Sequence, residues 1–348
     1  MRFFITGHTG FKGAWLSALL TELGHKVTGY SLDPHNRGLF SQVDLGSKIE
    51  LDLRGDIRDK HSLENAVLRS NPNVVIHLAA QSLVRPSYLH PVETFEVNSQ
   101  GTLNVLEVVQ RAAPNAFLLA ITTDKVYQNV GKAAGYVELD PLGFSDPYST
   151  SKAMADLAIQ SWQKSFPNNP KLAIGRAGNV IGPLDVSVDR IIPDIFRAAE
   201  SKQVLEIRNP EATRPWQHVL DCLMGYLKLI EKQALANDQI AWNFGPLPED
   251  EKSVRTLVEE SKKYLDFNWE ISDAETTFIE QNKLTLDSSQ ARKQLGWKDV
   301  FSFEQAIRET FEFTKTLNDS PAESRWETLR MYLREFLSKT EAPRFLNE

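Results

Sequence analysis

The sequence predicts an α/β protein built on a doubly wound parallel sheet, with a smaller lobe made from its C-terminal part. Three observations predict this. The chain opens on an apolar strand, a glycine turn and an amphipathic helix. Strand and helix patterns then alternate as far as Asn179, as a parallel sheet with crossover helices requires. Beyond Asn179 the alternation gives way to shorter, irregular segments. At 348 residues there is material for one large domain or two coupled ones. The expected division is 1–178 for the sheet domain, with segments near 215–245 returning to it, and 179–348 for the second lobe, ending in a helical tail over 318–348.

Composition excludes several classes of partner. With 39 Lys and Arg against 46 Asp and Glu the net charge is −7, and no basic cluster offers a nucleic-acid face. The single cysteine, Cys222, rules out an intrachain disulfide and reads as a small buried apolar residue, which suits a reducing cytoplasm. No apolar run approaches the roughly 20 residues of a membrane span, and a first strand at residue 2 leaves no room for a signal peptide. A cytoplasmic protein without membrane or nucleic-acid partners is expected. No set of metal ligands is read in the chain.

The first strand, Arg2–Thr6, runs into Gly7-His8-Thr9-Gly10-Phe11-Lys12-Gly13. Such a turn leaves backbone N–H groups bare and aims the positive end of a helix at whatever sits above it, as a pyrophosphate needs. Gly7, Thr9, Gly10, Phe11, Lys12 and Gly13 are therefore expected to hold a dinucleotide in a Rossmann-type site. A tight turn that binds nothing is the alternative. The following helix carries Trp15, Leu16, Leu19, Leu20 and Leu23 on one face and ends at Gly24. After the second strand, Lys26–Tyr30, comes Asp33, twenty residues beyond Gly13. A carboxylate there accepts from ribose hydroxyls and repels a 2′-phosphate, favouring NAD over NADP; a solvated turn residue before Pro34 is the other reading. Residues 34–48 are polar and turn-rich, and are expected to wrap the adenosine end.

A short strand ends at Asp56-Ile57, suited to an adenine pocket, although Asp56 and Asp59 could instead cap the helix over 60–70. Residues 73–80 read as a central strand whose tip, Leu78, Ala79 and Ala80, passes close to the cofactor. His77 lies within this run and reads as a satisfied core histidine. A long helix over 92–112, a fifth strand over 116–122, a helix over 149–165 and a sixth strand over 171–176 follow. Next come a helix near 191–201, a short strand at 204–208, a helix over 219–233 and a returning strand at 239–244. The tail places Trp326, Leu329, Leu333, Phe336 and Leu337 on one helical face, expected to dock on its own domain.

Tyr148 and Lys152 stand four positions apart at a helix start, hence on one face. A nearby cation stabilises phenolate, and with an oxidised nicotinamide the pair becomes a base for alcohol oxidation. The fifth strand ends in Thr122-Thr123-Asp124-Lys125. Strand C-termini are where ligands sit in open α/β sheets, so a hydroxyl, a carboxyl and an amine are delivered together. A capped turn with Asp124 paired to Lys125 explains any one of these residues, and the set less well.

These stretches resemble the extended short-chain dehydrogenase/reductase family, in its NAD-dependent epimerase/dehydratase group. Further carriers are Asp146-Pro147 before Tyr148, Arg176 to Gly182, Ile207-Arg208-Asn209-Pro210, Arg214 to Val219, Trp242 to Pro246, and Leu284 to Ala291. The resemblance implies a hydro-lyase acting on a nucleotide sugar, with bound NAD and CDP-glucose as the expected substrate, since a lysine follows the aspartate where most dehydratases carry glutamate. It implies that Tyr148, held with Lys152 and Thr123, removes the 4-hydroxyl proton, that Asp124 protonates the departing 6-hydroxyl, and that Lys125 takes the C5 proton or, if charged, stabilises the enolate. Thr122 and Ser82 are then expected beside the cofactor. Ser82 and Asn98 are expected near the nicotinamide or sugar, and Asn179, Arg190, Arg208, Arg214 and Asn243 around the substrate. For Arg190 an ordinary ion pair with Asp189 or Asp194 is the alternative. The resemblance also implies a homodimer or dimer of dimers, paired through the helices matching 92–112 and 149–165. Pro183-Leu184-Asp185-Val186 departs from the family's two glycines, aspartate and tryptophan, and 130–134 lacks its bulky tryptophan; both stretches are expected to border the substrate. A 4-epimerase of this fold needs no Asp124–Lys125 pair, and a non-catalytic dinucleotide sensor could discard Tyr148 and Lys152. Dehydration is the reading that uses them all.

Overall fold

Seven parallel strands form the central sheet of the computed structural model, which describes residues 1–132, 134–143, 145–166, 170–232, 240–272, 284–341 and 343. In chain order they are β1 (Arg2–Thr6), β2 (Lys26–Ser31), β3 (Leu51–Arg54), β4 (Val74–His77), β5 (Phe117–Ile121), β6 (Leu172–Ala177) and β7 (Ala241–Phe244). Across the sheet the order is β7-β6-β5-β4-β1-β2-β3. The chain winds outward from β1 in one direction and from β4 in the other, so a crevice opens between their C-terminal ends.

Alternation along each strand divides the core. Phe3 and Ile5 of β1 enter one apolar cluster with α1 (Phe11–Glu22), while Phe4 enters another with α2 (Lys60–Ser70) and α3 (Gly101–Ala112). The second face also takes Ile159 of α4 (Pro147–Ser165). The first face extends through α5 (Ile191–Ser201) and α6 (Val219–Glu231) to α7 (Phe303–Asp319) and α8 (Arg325–Ser338). The tail docks on its own chain, as its apolar face requires. The Trp15 ring lies 6.0 Å from both Phe313 and Tyr332, which stack at 4.0 Å, and Arg330 and Arg334 reach Glu22 at 2.6 and 2.5 Å. Short strand pairs build the outer part of the C-terminal region: Leu205–Ile207 with Trp269–Ile271, and Thr213–Pro215 with Glu251–Ser253.

Within 34–48, Leu39, Phe40, Val43 and Leu45 are buried in the first core around two short helical turns. Their spacing, i, i+1, i+4 and i+6, already traces an apolar face among the polar residues. The helix expected over 92–112 is interrupted, with a helical turn at Pro91–Phe95, a π turn at Glu96–Gln100 and only then α3. Gly101 follows the π turn, and a Cβ there would come within 2.5 Å of Ile57. The last residue of the helix expected over 219–233 and the start of the strand expected at 239–244 lie outside the described residues.

Candidate active site

A cavity of about 820 Å³ opens over the C-terminal ends of β1, β4 and β5 and runs to the segments after β6. Its floor is the glycine turn. Gly7 takes φ 77°, and a Cβ on it would meet the Ala79 nitrogen at 2.7 Å; one on Gly13 would meet the Gly7 oxygen at 2.0 Å. Gly10 is the N-cap of α1 and offers no side-chain acceptor, so the first N–H groups of the helix face the cleft unshielded. The β4 tip is tied beside this turn, Leu78 N donating to Thr6 O at 3.1 Å and Ala79 N to Thr6 Oγ1 at 3.2 Å.

Gly7, Thr9, Gly10, Phe11, Lys12 and Gly13 all line the cavity. So do Asp56, Ile57, Leu78, Ala79, Ala80 and Ser82. Lys12 points its ammonium towards the Tyr226 hydroxyl, 3.4 Å away, and burial holds its pKa below the usual lysine range. Asp56 is clasped by Arg58 at 2.6 and 3.0 Å. Asp33 stands outside the lining, its side chain 91% exposed and 3.4 Å from Arg54. His77 is a core residue, bonded to Thr6 at 2.7 Å and Thr102 at 3.1 Å, and burial pushes its pKa down to about 3. Cys222 is likewise buried.

The opposite wall carries the reactive groups. Thr122, Thr123, Asp124 and Lys125 leave β5 and meet Tyr148 and Lys152 of α4. Asp146 caps α4, accepting from Ser149 N at 2.9 Å and Ser149 Oγ at 2.6 Å, with Pro147 at the first helical position. The Ser87 hydroxyl takes the Tyr148 N–H at 3.1 Å. Helix entry is therefore fixed at the residue that bears the phenol. Thr123 lies beside Tyr148 and donates to Asp124 Oδ1 at 2.9 Å.

Burial dominates the protonation of this group. Desolvation raises the Asp124 carboxyl above the ordinary range, against the pull of Lys125, Thr123 and Arg214. It lowers Lys152 to about 8, assisted by Lys12 and opposed by Asp156. It also raises Tyr148 to about 12, moderated by Thr123 and Arg190. Within the polypeptide alone, burial outweighs the neighbouring groups and leaves the phenol above its ordinary value. Lys152 turns its Nζ to the Ile121 carbonyl at 2.8 Å.

From the C-terminal region Asn179, Arg190, Arg208 and Arg214 line the cavity. Arg190 pairs with Asp185 at 3.1 Å; Asp189 and Asp194, the partners considered from sequence, pair with Arg85 and Arg197. Asn98 and Asn243 lie behind the wall, not on it. Asn98 is buried, accepts from Gln81 N at 2.9 Å and donates to Ser151 Oγ at 2.9 Å. Asn243 is buried, accepts from Tyr127 at 2.7 Å and donates to Tyr136 O at 2.8 Å. Asn98 supports the turn at Gln81, which lines the cleft, and Asn243 ties Tyr127 to Tyr136 behind it. Of the two departing stretches, Asp185 reaches the cleft, whereas the described residues of 130–134 do not. There Lys132 pairs with Asp140 at 2.6 Å and Val130 N donates to Tyr136 Oη at 2.9 Å, folding the loop onto its own return. Arg85, Asp185 and Asp189 also line the cleft. No motif marks them, because their partners come from distant segments.

Residues 4–310 match the profile of the family described as GDP-mannose 4,6 dehydratase. The chain is 44% identical over 308 residues to the CDP-glucose 4,6-dehydratase of Salmonella typhimurium, covering 85% of each chain. The chain belongs to the GDP-mannose 4,6 dehydratase family. A more distant relative by sequence is a probable dTDP-glucose 4,6-dehydratase of Sinorhizobium fredii, 26% identical over 90% of this chain and 92% of that one. The family's fold recurs in the crystal structure of dTDP-glucose 4,6-dehydratase from Bacillus anthracis in complex with NAD, with TM-score 0.78, 22% identity and coverage of 94% and 99%. It recurs again in a UDP-glucose 4-epimerase from Stenotrophomonas maltophila with bound NAD, with TM-score 0.77, 19% identity and coverage of 91% and 99%.

Proposed function

We propose that this chain is an NAD-dependent sugar-nucleotide 4,6-dehydratase that converts CDP-glucose to CDP-4-keto-6-deoxyglucose. One observation carries the reading. An acid, Asp124, and an amine, Lys125, line the same cleft as the Tyr148 phenol, and removing water across C5 and C6 uses both whereas oxidation at C4 uses neither. The 44% identity to a CDP-glucose 4,6-dehydratase supports the choice of base and sugar.

The glycine floor fits a dinucleotide: the closeness of Gly7 and Gly13 to backbone leaves no room for a Cβ, and the open α1 N-terminus suits a pyrophosphate. Gly7, Thr9, Gly10, Phe11, Lys12 and Gly13 would hold it, with Asp56 and Ile57 at the adenine and Leu78, Ala79, Ala80, Ser82 and Thr122 along the nicotinamide half. Asp33 would reach the ribose by turning from Arg54. When bound, NAD supplies a reversible hydride acceptor for C4 and donor for C6. Tyr148 accepts the 4-hydroxyl proton, positioned by Thr123, with Lys152 beneath. Asp124, whose burial favours the protonated form, would donate to the departing 6-hydroxyl, and Lys125 would take the C5 proton. Arg190, Arg208, Arg214 and Asn179 would face the diphosphate.

We infer also a homodimer or dimer of dimers in the cytoplasm. Leu89, Val92, Met154 and Leu157 are exposed on the turns before α3 and on α4, an apolar face that a second copy would cover. Among the described residues no helix is long and apolar enough to cross a membrane.

The test is direct. Purified protein supplied with CDP-glucose and NAD is expected to form a 4-keto-6-deoxy sugar, read by its chromophore in alkali. A chromophore with another nucleotide sugar alone would reassign the substrate. Inversion at C4 without chromophore would make the protein an epimerase, and no turnover of any nucleotide sugar would end the enzyme reading. Sedimentation at micromolar protein tests the assembly, and a monomer would refute it.

A further inference from the structure

Behind the glycine turn a line of polar side chains leads to Asp33. His8 is fully buried, and its Nε2 lies 2.8 Å from Asp52 Oδ1. The imidazole fills the space beside Gly29, where a Cβ would come within 2.1 Å of it. Asp52 in turn accepts both Nη groups of Arg54, at 2.6 and 2.8 Å, and the Arg54 guanidinium lies 5.3 Å from the centre of the Phe40 ring. The carboxylate and the ring together fix the plane of a cation whose side chain is 33% exposed. Its fork is taken, and its Nε edge stands 3.4 Å from Asp33 Oδ1.

Strand register sets this pair at the rim of the cleft. Ser31 of β2 is the partner of Arg54 in β3, and Gly55 N donates to Ser31 O at 3.0 Å. Thr9 of the glycine turn ties the end of β2 down, its Oγ1 lying 2.8 Å from Ser31 Oγ and donating to Leu32 O at 3.0 Å. Ser31, Leu32 and Gly55 line the cleft, so Asp33 and Arg54 each directly follow or precede a lining residue. The pair is asymmetric. Asp33, 91% exposed, is free to turn to the ribose hydroxyls, whereas Arg54 is held by Asp52 and Phe40 and stays. With Asp33 turned away, the Arg54 Nε–H is left as a charged donor beside the ribose end, the kind of group that accommodates a 2′-phosphate.

We propose that Arg54 is a cofactor-specificity residue, the cation of a 2′-phosphate site that Asp33 masks. The chain then rejects NADP through the Asp33 charge alone and already holds the group that NADP needs. The inference rests on reading the glycine turn as the dinucleotide site with Asp33 at the ribose. Because Asp52 keeps the fork, Arg54 has a single N–H edge to offer. The effect expected is that of one charge-assisted hydrogen bond, about tenfold in affinity, and not that of a bidentate clamp.

The test is equilibrium dialysis of the full chain against NAD and NADP at fixed ionic strength, for wild type, Asp33→Ser, Arg54→Leu and the Asp33→Ser/Arg54→Leu pair. Asp33→Ser should raise the ratio of NADP to NAD affinity by about 100-fold, since it removes a repulsion and a ribose acceptor and unmasks Arg54; about tenfold of that gain should vanish in the pair. With Asp33 present, Arg54→Leu should change NADP affinity by less than about threefold, so the two substitutions are coupled. No gain for NADP in Asp33→Ser, or a gain that survives undiminished without Arg54, overturns the proposal. A phosphorus NMR titration of NADP bound to Asp33→Ser needs no Arg54 variant, and so carries the test if the pair does not fold. Beside Arg54 the 2′-phosphate should titrate below its value in free NADP, and a midpoint at or above the free value refutes the contact. Normal NAD binding with NADP indifferent to Arg54 ends this inference alone, whereas a wild-type protein that binds neither dinucleotide ends the dinucleotide reading and this inference with it.

Discussion

The pair that anchors the catalytic helix lies behind the cleft, and breaking it should damage stability and rate together. Asp156 follows Lys152 by one helical turn and is fully buried. It receives Arg176 Nη2 at 2.7 Å, Arg176 Nε at 2.9 Å and Thr122 Oγ1 at 3.1 Å. Arg176 sends its remaining fork to Tyr127 Oη at 2.8 Å and Glu138 O at 2.9 Å, so both ions, 1% and 0% exposed, are satisfied without water. Arg176→Met removes four donors and leaves a carboxylate stranded in the core, a loss of about 3–5 kcal/mol. Unfolding entropy of about 2.1 cal/mol/K per residue gives roughly 0.7 kcal/mol/K for a 348-residue chain, so the expected fall in thermal midpoint is about 4–7 °C. Adding Asp156→Leu to Arg176→Met should recover much of this fall, because the stranded charge is the larger part of it. Differential scanning fluorimetry at pH 7.5, with kcat on the same samples, reads both effects. A fall below about 1 °C, or a double variant less stable than both singles, would refute the picture of a buried pair carrying the α4 register.

Other expectations follow from single distances and shifts. Gly13→Ala places a Cβ 2.0 Å from the Gly7 carbonyl oxygen; the turn must open, costing about 1–3 kcal/mol and most dinucleotide affinity, as equilibrium dialysis would show, and unchanged binding would contradict the cradle. Tyr148→Phe should lower kcat by about 10²–10⁴-fold while nucleotide-sugar binding by calorimetry is kept; a smaller drop would mean another base. Asp124→Asn tests the buried acid through pH. Its carboxyl is raised in the folded state, so its favourable contribution is complete below the unfolded value of about 3.9 and is lost as pH rises through the folded value. The variant should therefore melt higher than wild type at pH 8, with the gap closing towards pH 4, and a constant gap would remove the desolvation argument.

Local chemistry was legible in the sequence and convergence was not. The glycine turn, the β4 tip, and the spacing of Tyr148 and Lys152 are written in adjacent residues, so they could be read without knowing the fold. Asn98 and Asn243 look from sequence like polar residues awaiting a ligand. Their partners Gln81, Ser151, Tyr127 and Tyr136 come from other segments, and only the packed chain reveals that they are already satisfied. The same holds for Asp185: a carboxylate five residues before an arginine has no periodic meaning on a loop, and the left-handed turn at Asp189 brings the two together.

Leu184 shows how a departure from the family pattern can leave the site's charges in place. Its φ of 59° is left-handed backbone, which glycine adopts without strain. The leucine adopts that backbone at a cost of about 1–2 kcal/mol. Its side chain is buried in the main core, which offsets the strain by about 1.5–3 kcal/mol. With Leu184 turned inward, Asp185 still faces the cleft. Two substitutions separate the opposing effects. Leu184→Ala keeps the strained backbone and loses most of the burial; Leu184→Gly loses the burial and the strain together. The alanine variant should therefore be the less stable by about 1 kcal/mol, measured by urea unfolding. Equal stability would mean that the backbone there is unstrained, and the leucine would then need another explanation.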